Sequence, residues 1–335
     1  VVALIVVIVV SLAFAVTIGL QDAANAVAAL VATRGARPGS AVLFAGAFSM
    51  LGSFLPSTAV AATIAGLVHV GAGDELVVVG AAVAAATLYD VVAWRLGIPA
   101  SGTHAIAGAL AGAAIAAAGV DSVNWGGIGG GHPTGIIGVL VALAISPVIG
   151  FAVGWTLDRL VRAGLRRATN RVVHPIRVGQ WVSTAALAFS QCANDAQKAM
   201  GLIVAALLAT GHLSSFGVPV WVRLLGGGAL TVGTLMGGWR IARTIGRGIY
   251  RVTALDGLVC ESGTTGVVLA ASVIGAPVST TQVLAASVVG VGASRRRYAH
   301  VRWHVVRRML LAWIVTLPTC GVLAAALVPL WRWFT

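Results

Sequence analysis

Nine acidic residues occur in a chain of 335, and five of them (Asp22, Asp90, Asp195, Asp256 and Glu261) fall in or beside apolar segments. An ionisable group at the centre of a bilayer costs at least about 2.5–3.5 kcal/mol, so each must be paired, hydrated or bound to an ion. Two of them belong to compact polar groups. Gly19–Val27 reads GLQDAANAV, in which Asp22 and Asn25 are three residues apart and share a helix face. Gln191–Met200 reads QCANDAQKAM and gathers Asn194, Asp195, Gln197 and Lys198 within about one turn. Carboxylate and carboxamide oxygens are hard ligands suited to a small cation, and a carboxylate alone can carry a proton. Lys198 is the single lysine of the chain; the other 21 basic side chains are arginine. Its ammonium is a compact point charge that can pair with an oxyanion or close a salt bridge with Asp195, three positions earlier. Asp90 and Asp256 admit two readings, a functional site or a helix-orienting ion pair beside Arg95 or Arg251.

Hydroxyls form a second set. LGIPASGTHAIAGALAGA (Leu96–Ala113) holds Ser101 and Thr103, and IGAPVSTTQVLAASVVGVGA (Ile274–Ala293) holds Ser279, Thr280 and Thr281. Each group follows a proline by two to four positions, and proline favours the first turn of a helix. The hydroxyls are therefore placed to cap short helices, whose exposed N–H groups and positive dipole ends attract anions. Serine and threonine in membrane helices more often bond back to the i−4 carbonyl; the proline breaks and the recurrence favour anion binding here. Two such termini, two carboxylates and one lysine describe a site for a small oxyanion with a cation beside it. Bare carboxylates would repel the anion, so binding of the anion would require a loaded cation.

The elements that carry these groups are membrane helices. Only 9% of residues are charged and 59% are apolar, against roughly 25% charged in a soluble domain. Runs such as 1–20, 76–86, 136–153 and 309–330 reach or approach the ~20 residues that cross a bilayer, without the alternation of a membrane barrel. An all-α polytopic membrane protein with about 10–12 spanning or half-spanning helices is expected, with interruptions at Pro56, Pro99, Pro147, Pro277 and Pro318. The chain begins without Met, and the run 1–20, too long for a signal-peptide core, reads as the first membrane helix. The net charge of +13 does not indicate nucleic acid, because the arginines gather in short stretches (159–177, 240–251, 295–308), as cytoplasmic loops of membrane proteins do. Cys192, Cys260 and Cys320 lack a paired or metal-binding spacing and read as small apolar residues.

The chain also repeats. The two Asp groups are 173 residues apart, and Ser101 and Ser279 are 178 apart, in the same order. The arginine-rich stretch 158–177 divides the copies into a first repeat (1–157) and a second (178–335). Charge indicates how they sit. After the first Asp group come Arg34 and Arg37, and after its counterpart no basic residue; for the hydroxyl groups the pattern reverses, the glycine-rich loop 119–135 lacking arginine and SRRRYAHVRWHVVRR (294–308) being dense in it. If basic ends face the cytoplasm, the duplication is inverted, an arrangement of secondary transporters.

GLQDAANAV, QCANDAQKAMG, GIPASGTHAIAGALAG and CESGTTGVVLAASVIGAPVSTTQVLAASVVGVGASRR together resemble, in order, the signatures of the inorganic phosphate transporter (PiT) family, over nearly the whole chain from Gly19 to Arg297. The resemblance implies uptake of inorganic phosphate coupled to H⁺ or Na⁺, without chemistry on the substrate and so without catalytic residues or cofactor. It places Ser101, Thr103, Ser279, Thr280, Thr281, Asn25, Asn194, Gln197 and Lys198 at the phosphate, and Asp22, Asp195, Asn25, Asn194 and, secondarily, Glu261 at the coupling ion. Gln21, Leu20, Cys192 and Gln282 depart from the commonest signatures. The altered first signature looks like the bacterial low-affinity permeases, which are proton-coupled and take up phosphate as a neutral complex with a divalent metal. H⁺ coupling in a bacterial cell membrane is therefore expected, with Na⁺ coupling as the alternative and an anion channel as the reading from another class. Expected partners are phosphate, the coupling ion and membrane lipid, with no nucleic acid and no protein-bound metal; a homodimer stays open. No Walker motif for ATP hydrolysis is present.

Overall fold

The computed structural model describes residues 1–71, 73–98, 100–129, 132–237, 252–294 and 301–334. The fold is all-α, with eleven α-helices among the described residues: α1 (Val2–Ala32), α2 (Pro38–Gly52), α3 (Ala59–Ala65), α4 (Glu75–Leu96), α5 (Gly102–Ala118), α6 (Gly135–Gly164), α7 (Val173–Ala209), α8 (Val220–Met236), α9 (Ala254–Ile274), α10 (Thr280–Ser294) and α11 (Trp303–Phe334). The only sheet among them is a two-residue antiparallel pair, Ile128–Gly129 with His132–Pro133, in the glycine-rich loop. Helices α1, α4, α6, α9 and α11 are long and apolar enough to cross a membrane. The others that carry motifs are either shorter, as α5 and α10 are at 17 and 15 residues, or longer and more polar, as is the 37-residue α7.

The proline interruptions divide. Pro56 lies in the break between α2 and α3, and Pro277 in the break between α9 and α10; Pro99 is outside the described residues. Pro147 and Pro318, however, sit inside α6 and α11, which run through them. A proline deprives the i−4 carbonyl of its donor, and membrane helices tolerate this where a hydroxyl replaces it. At Pro147 that carbonyl belongs to Leu143, and the Ser146 hydroxyl donates to it at 3.4 Å. The first expected helix, 1–20, continues through Asp22 and Asn25 to Ala32. Stretch 158–177 is mostly helical, since α6 extends to Gly164 and α7 begins at Val173. Within it, Arg162 bridges Asp158 at 2.9 Å and Asp256 at 2.8 Å. Asp256 thus pairs with Arg162; Arg251, like the other arginines at 240–251 and 295–297, is outside the described residues.

Helix packing depends on glycines that bring backbones into contact, as expected where lipid gives helices no hydrophobic drive to associate. A Cβ on Gly233 of α8 would overlap the Val16 carbonyl of α1, and a Cβ on Gly52 of α2 would overlap the Phe189 carbonyl of α7. Val16 and Phe189 are 173 residues apart, the spacing of the two Asp groups. Similarly, Gly108 and Gly112 seat α5 against Leu317 and Gly321 of α11, while Gly150 and Gly154 seat α6 against Val283 and Ser287 of α10. Each half's helices therefore pack against the counterparts of their own neighbours. The short helices α5 and α10 are held by this packing with their N-termini toward the centre of the fold.

Candidate functional site

Four elements meet at the polar centre: α1 and α7 with the Asp groups, and the N-termini of α5 and α10 with the hydroxyls. Ser101 is the N-cap of α5, accepting from the His104 N–H at 3.3 Å, and its hydroxyl lies 2.7 Å from His104 Nδ1. Ser279 occupies the equivalent place before α10 and accepts from the Gln282 N–H at 3.4 Å. The sequence folds this way because an N-cap hydroxyl satisfies one of the four N–H groups that a helix start leaves without a partner. The two tips are tied together: Thr103 of α5 donates to the Val278 carbonyl just before α10 at 2.9 Å, and Lys198 donates to the same oxygen at 3.1 Å.

Lys198 and Asp195 form a buried ion pair, their side chains 2% and 3% exposed. Thr280 stands between the carboxylates, 3.1 Å from Asp22 Oδ1 and 3.1 Å from Asp195 Oδ2. A hydroxyl has one proton and cannot donate fully to both. Asp22 Oδ1 also receives long contacts from Asn25 Nδ2 (3.4 Å) and Gln191 Nε2 (3.5 Å), while Asp22 Oδ2 has no hydrogen-bond partner. Asn25 donates to Thr281 at 2.9 Å, which leaves its own buried Oδ1 without a donor. The centre is thus rich in acceptors and short of donors, the condition that a proton or a small cation would relieve.

The structure brings Asp22, Thr103, Asp195, Lys198, Ser279, Thr280 and Thr281 to the wall of one small cavity, along with Ile18, Gln21, Ala100 and Gly102. The space left is about 10 Å³, near the minimum for one water; an oxyanion enters only if the Lys198–Asp195 pair and the two helix tips separate. The other expected residues stand back from the wall. Asn25 supports Asp22 and Thr281. Ser101 is turned into its cap. Asn194 donates to Ser272 at 3.1 Å and to the Ala276 carbonyl at 3.3 Å. Gln197 accepts from the Ala61 N–H at 3.2 Å, tying α7 to α3. Glu261 belongs to another cluster, accepting from Ser183 at 2.5 Å and Thr184 at 3.0 Å. Thr184 is eleven residues before Asp195 on α7, about 16 Å along a helix. The motif reading left Gln191 and the Val278 carbonyl out of the site. Gln191 stands in the second Asp group and was legible there; a backbone acceptor has no signature in residue type.

A larger cavity of about 790 Å³ lies elsewhere in the molecule, lined by Arg34, Arg177, Gln180, Thr253 and Arg302 among others. Arg34 is the one described non-glycine residue with positive φ, at 59°, which directs the chain into the turn ending α1.

Comparison with known proteins agrees with this geometry. The model of the phosphate transporter family matches residues 18–324. A probable low-affinity inorganic phosphate transporter of Mycobacterium tuberculosis is 37% identical over 325 residues, covering 96% of this chain and 76% of that protein. One of the same description from Bacillus subtilis is 35% identical over 328 residues, covering 96% and 95%. Among solved structures, a sodium-dependent phosphate transporter superposes over the full length of both chains with a TM-score of 0.88 at 22% identity, a likeness of fold. With its membrane helices, its two Asp groups and two hydroxyl-capped helix tips at one centre, and this match over most of its length, the chain belongs to the phosphate transporter family.

Proposed function

We propose that this protein imports inorganic phosphate, free or as a neutral complex with a divalent metal, by symport with H⁺. The observation that carries the reading is the pair of carboxylates, Asp22 and Asp195, facing one hydroxyl proton on Thr280 beside the buried Lys198. Adding a proton there removes a negative charge from the wall of the space the anion must enter. Phosphate would then be held by Lys198, by the hydroxyls of Thr103, Ser279, Thr280 and Thr281, with Ser101 in its cap, and by the N–H groups of the α5 and α10 tips, while Asn25, Asn194 and Gln197 position them. Uptake would alternate around this centre. The glycine-seated crossings, in which each half packs on the other's counterparts, support two repeats, and the arginine distribution supports their inversion with the basic ends cytoplasmic.

Na⁺ coupling is the second reading. It is favoured by Asp22 Oδ2 and Asn25 Oδ1, two buried hard oxygens without donors in one helical turn, and by Glu261, whose Oε1 is likewise without a partner. Purified protein in liposomes, given labelled phosphate under an inward H⁺ or an inward Na⁺ gradient, separates these. H⁺-driven accumulation is expected; accumulation driven by Na⁺ alone would replace the coupling ion. Non-saturating flux under either gradient would point to a channel instead.

A further inference from the structure

Among the buried groups that the proposed site does not use, Asp90 of α4 stands apart. It is fully buried, and neither carboxylate oxygen has a hydrogen-bond partner. Gln21 and Thr17 of α1 are its polar neighbours, yet the Gln21 Nε2 also lacks a partner and Thr17 donates instead to the Phe14 carbonyl at 2.8 Å. Its position gives the orphaned carboxylate meaning. A Cβ placed on Gly102 would lie 3.6 Å from Asp90 Oδ2, so the carboxylate rests against the first residue of α5. The N–H groups of Gly102 and Thr103 come before the first intrahelical acceptor, and Gly102, Thr103 and Gln21 line the central cavity.

The other half has no such group. Ser101 and Ser279 are 178 residues apart, and the same step from Asp90 reaches Val268, which packs with Ala271 and Val278 in an apolar cluster. The α10 tip thus has no resident carboxylate of this kind, whereas the α5 tip has one.

We infer that Asp90 is a proton-carrying residue of the transport cycle that gates the α5 tip: its carboxylate occupies the positive end of α5 when ionised and yields it to phosphate when protonated. The linkage follows from electrostatics. An ionised Asp90 offsets the α5 dipole and adds a negative charge behind the cavity wall, opposing an incoming anion; the neutral acid does neither. Each ligand then favours binding of the other, which is the requirement for symport. This rests on the H⁺-coupled reading above. The other ionisable groups facing Asp90 are already engaged or of other chemistry. On α7, Lys198 is within electrostatic reach but is paired with Asp195. On α1, Asp22 is bonded to Thr280. On α5, His104 is held to Ser101. Tyr89 of α4 shares a hydrogen bond with Thr316 at 2.8 Å, and Cys320 of α11 is a buried thiol.

Calorimetry of phosphate binding to the purified protein, in two buffers of different ionisation heat, counts the protons taken up. Wild type is expected to take up about one proton more per phosphate than Asp90→Asn, whose affinity loses the matching part of its pH dependence, and Asp90→Glu is expected to restore both. Phosphate's own titration is common to all three proteins and drops out of the difference. Equal proton uptake by wild type and Asp90→Asn would overturn the role of Asp90 while leaving H⁺ coupling intact. No proton uptake by wild type would remove the H⁺-coupled reading, and this inference with it. If Asp90→Asn does not fold, infrared difference spectra of wild type and Asp90→Glu decide. A neutral carboxylic-acid band on phosphate binding, shifted by Asp90→Glu, is expected; its absence, or an unshifted band, overturns the assignment.

Discussion

Lys198→Met is the most informative single perturbation, because it keeps the aliphatic stem and deletes only the charge. Lys198 and Asp195 are almost wholly buried as an ion pair, and removing one partner of such a pair leaves an uncompensated buried charge that costs about 3–5 kcal/mol. Here the cost falls on Asp195, whose remaining support is a shared hydroxyl at 3.1 Å. Asp195→Asn alone strands the ammonium, whose remaining contact is the Val278 carbonyl, and is expected to cost a similar amount. Replacing both members of a buried pair is often close to neutral, so Asp195→Asn/Lys198→Met should regain most of the loss. The double-mutant cycle then has a coupling energy of about 3 kcal/mol, near the upper end of values for residues in contact. The assay is equilibrium unfolding in mixed micelles, followed by tryptophan fluorescence. Transport is expected to be lost in all three variants, since the double variant restores folding without the ammonium. Single variants within about 0.5 kcal/mol of wild type, the range of ordinary surface substitutions, would refute the buried pair, as would a double variant carrying the full sum of the single losses.

Thr280→Val should raise the apparent KM for phosphate and lower stability by about 1–3 kcal/mol, the cost of leaving buried acceptors unpaired; Thr280→Ser should retain most of both, by uptake assay and unfolding. Gly108→Ala, whose Cβ would overlap the Leu317 carbonyl, should destabilise by about 1–3 kcal/mol. Gly228→Ala, with nothing within 4 Å of its Cβ, should not, and thermal melting in detergent compares them. Arg162→Ala strips the shared cation from the buried Asp158 and Asp256 and should lower stability by about 3 kcal/mol, with Arg162→Lys recovering part of it.

Much of the molecule was determined by sequence alone. Apolar runs with few charges have one stable outcome in lipid, helices that satisfy their own backbone, so the fold class was legible from composition. The hydroxyl caps at Ser101 and Ser279 were equally legible, because a proline break followed by serine has a local physical meaning that does not depend on the rest of the fold. The rare polar groups marked Asp22, Asp195 and Lys198 because burial makes each too costly to be incidental. Tertiary structure decided what no local rule reaches. Helix α6 runs through Pro147 because Ser146 reaches Leu143, an outcome of one side-chain rotamer. Asp256 pairs with Arg162, 94 residues away, rather than with a nearby arginine. Glu261 and Asp195, both acids beside duplicated motifs, are held apart by the length of α7. Asp90 reads in sequence as one more acid in an apolar helix; only the crossing of α4 with α5 sets its carboxylate against a helix tip. Sequence fixes which groups must find partners, since that cost is a property of the residue, while the partners are set by distances between helices that meet far along the chain.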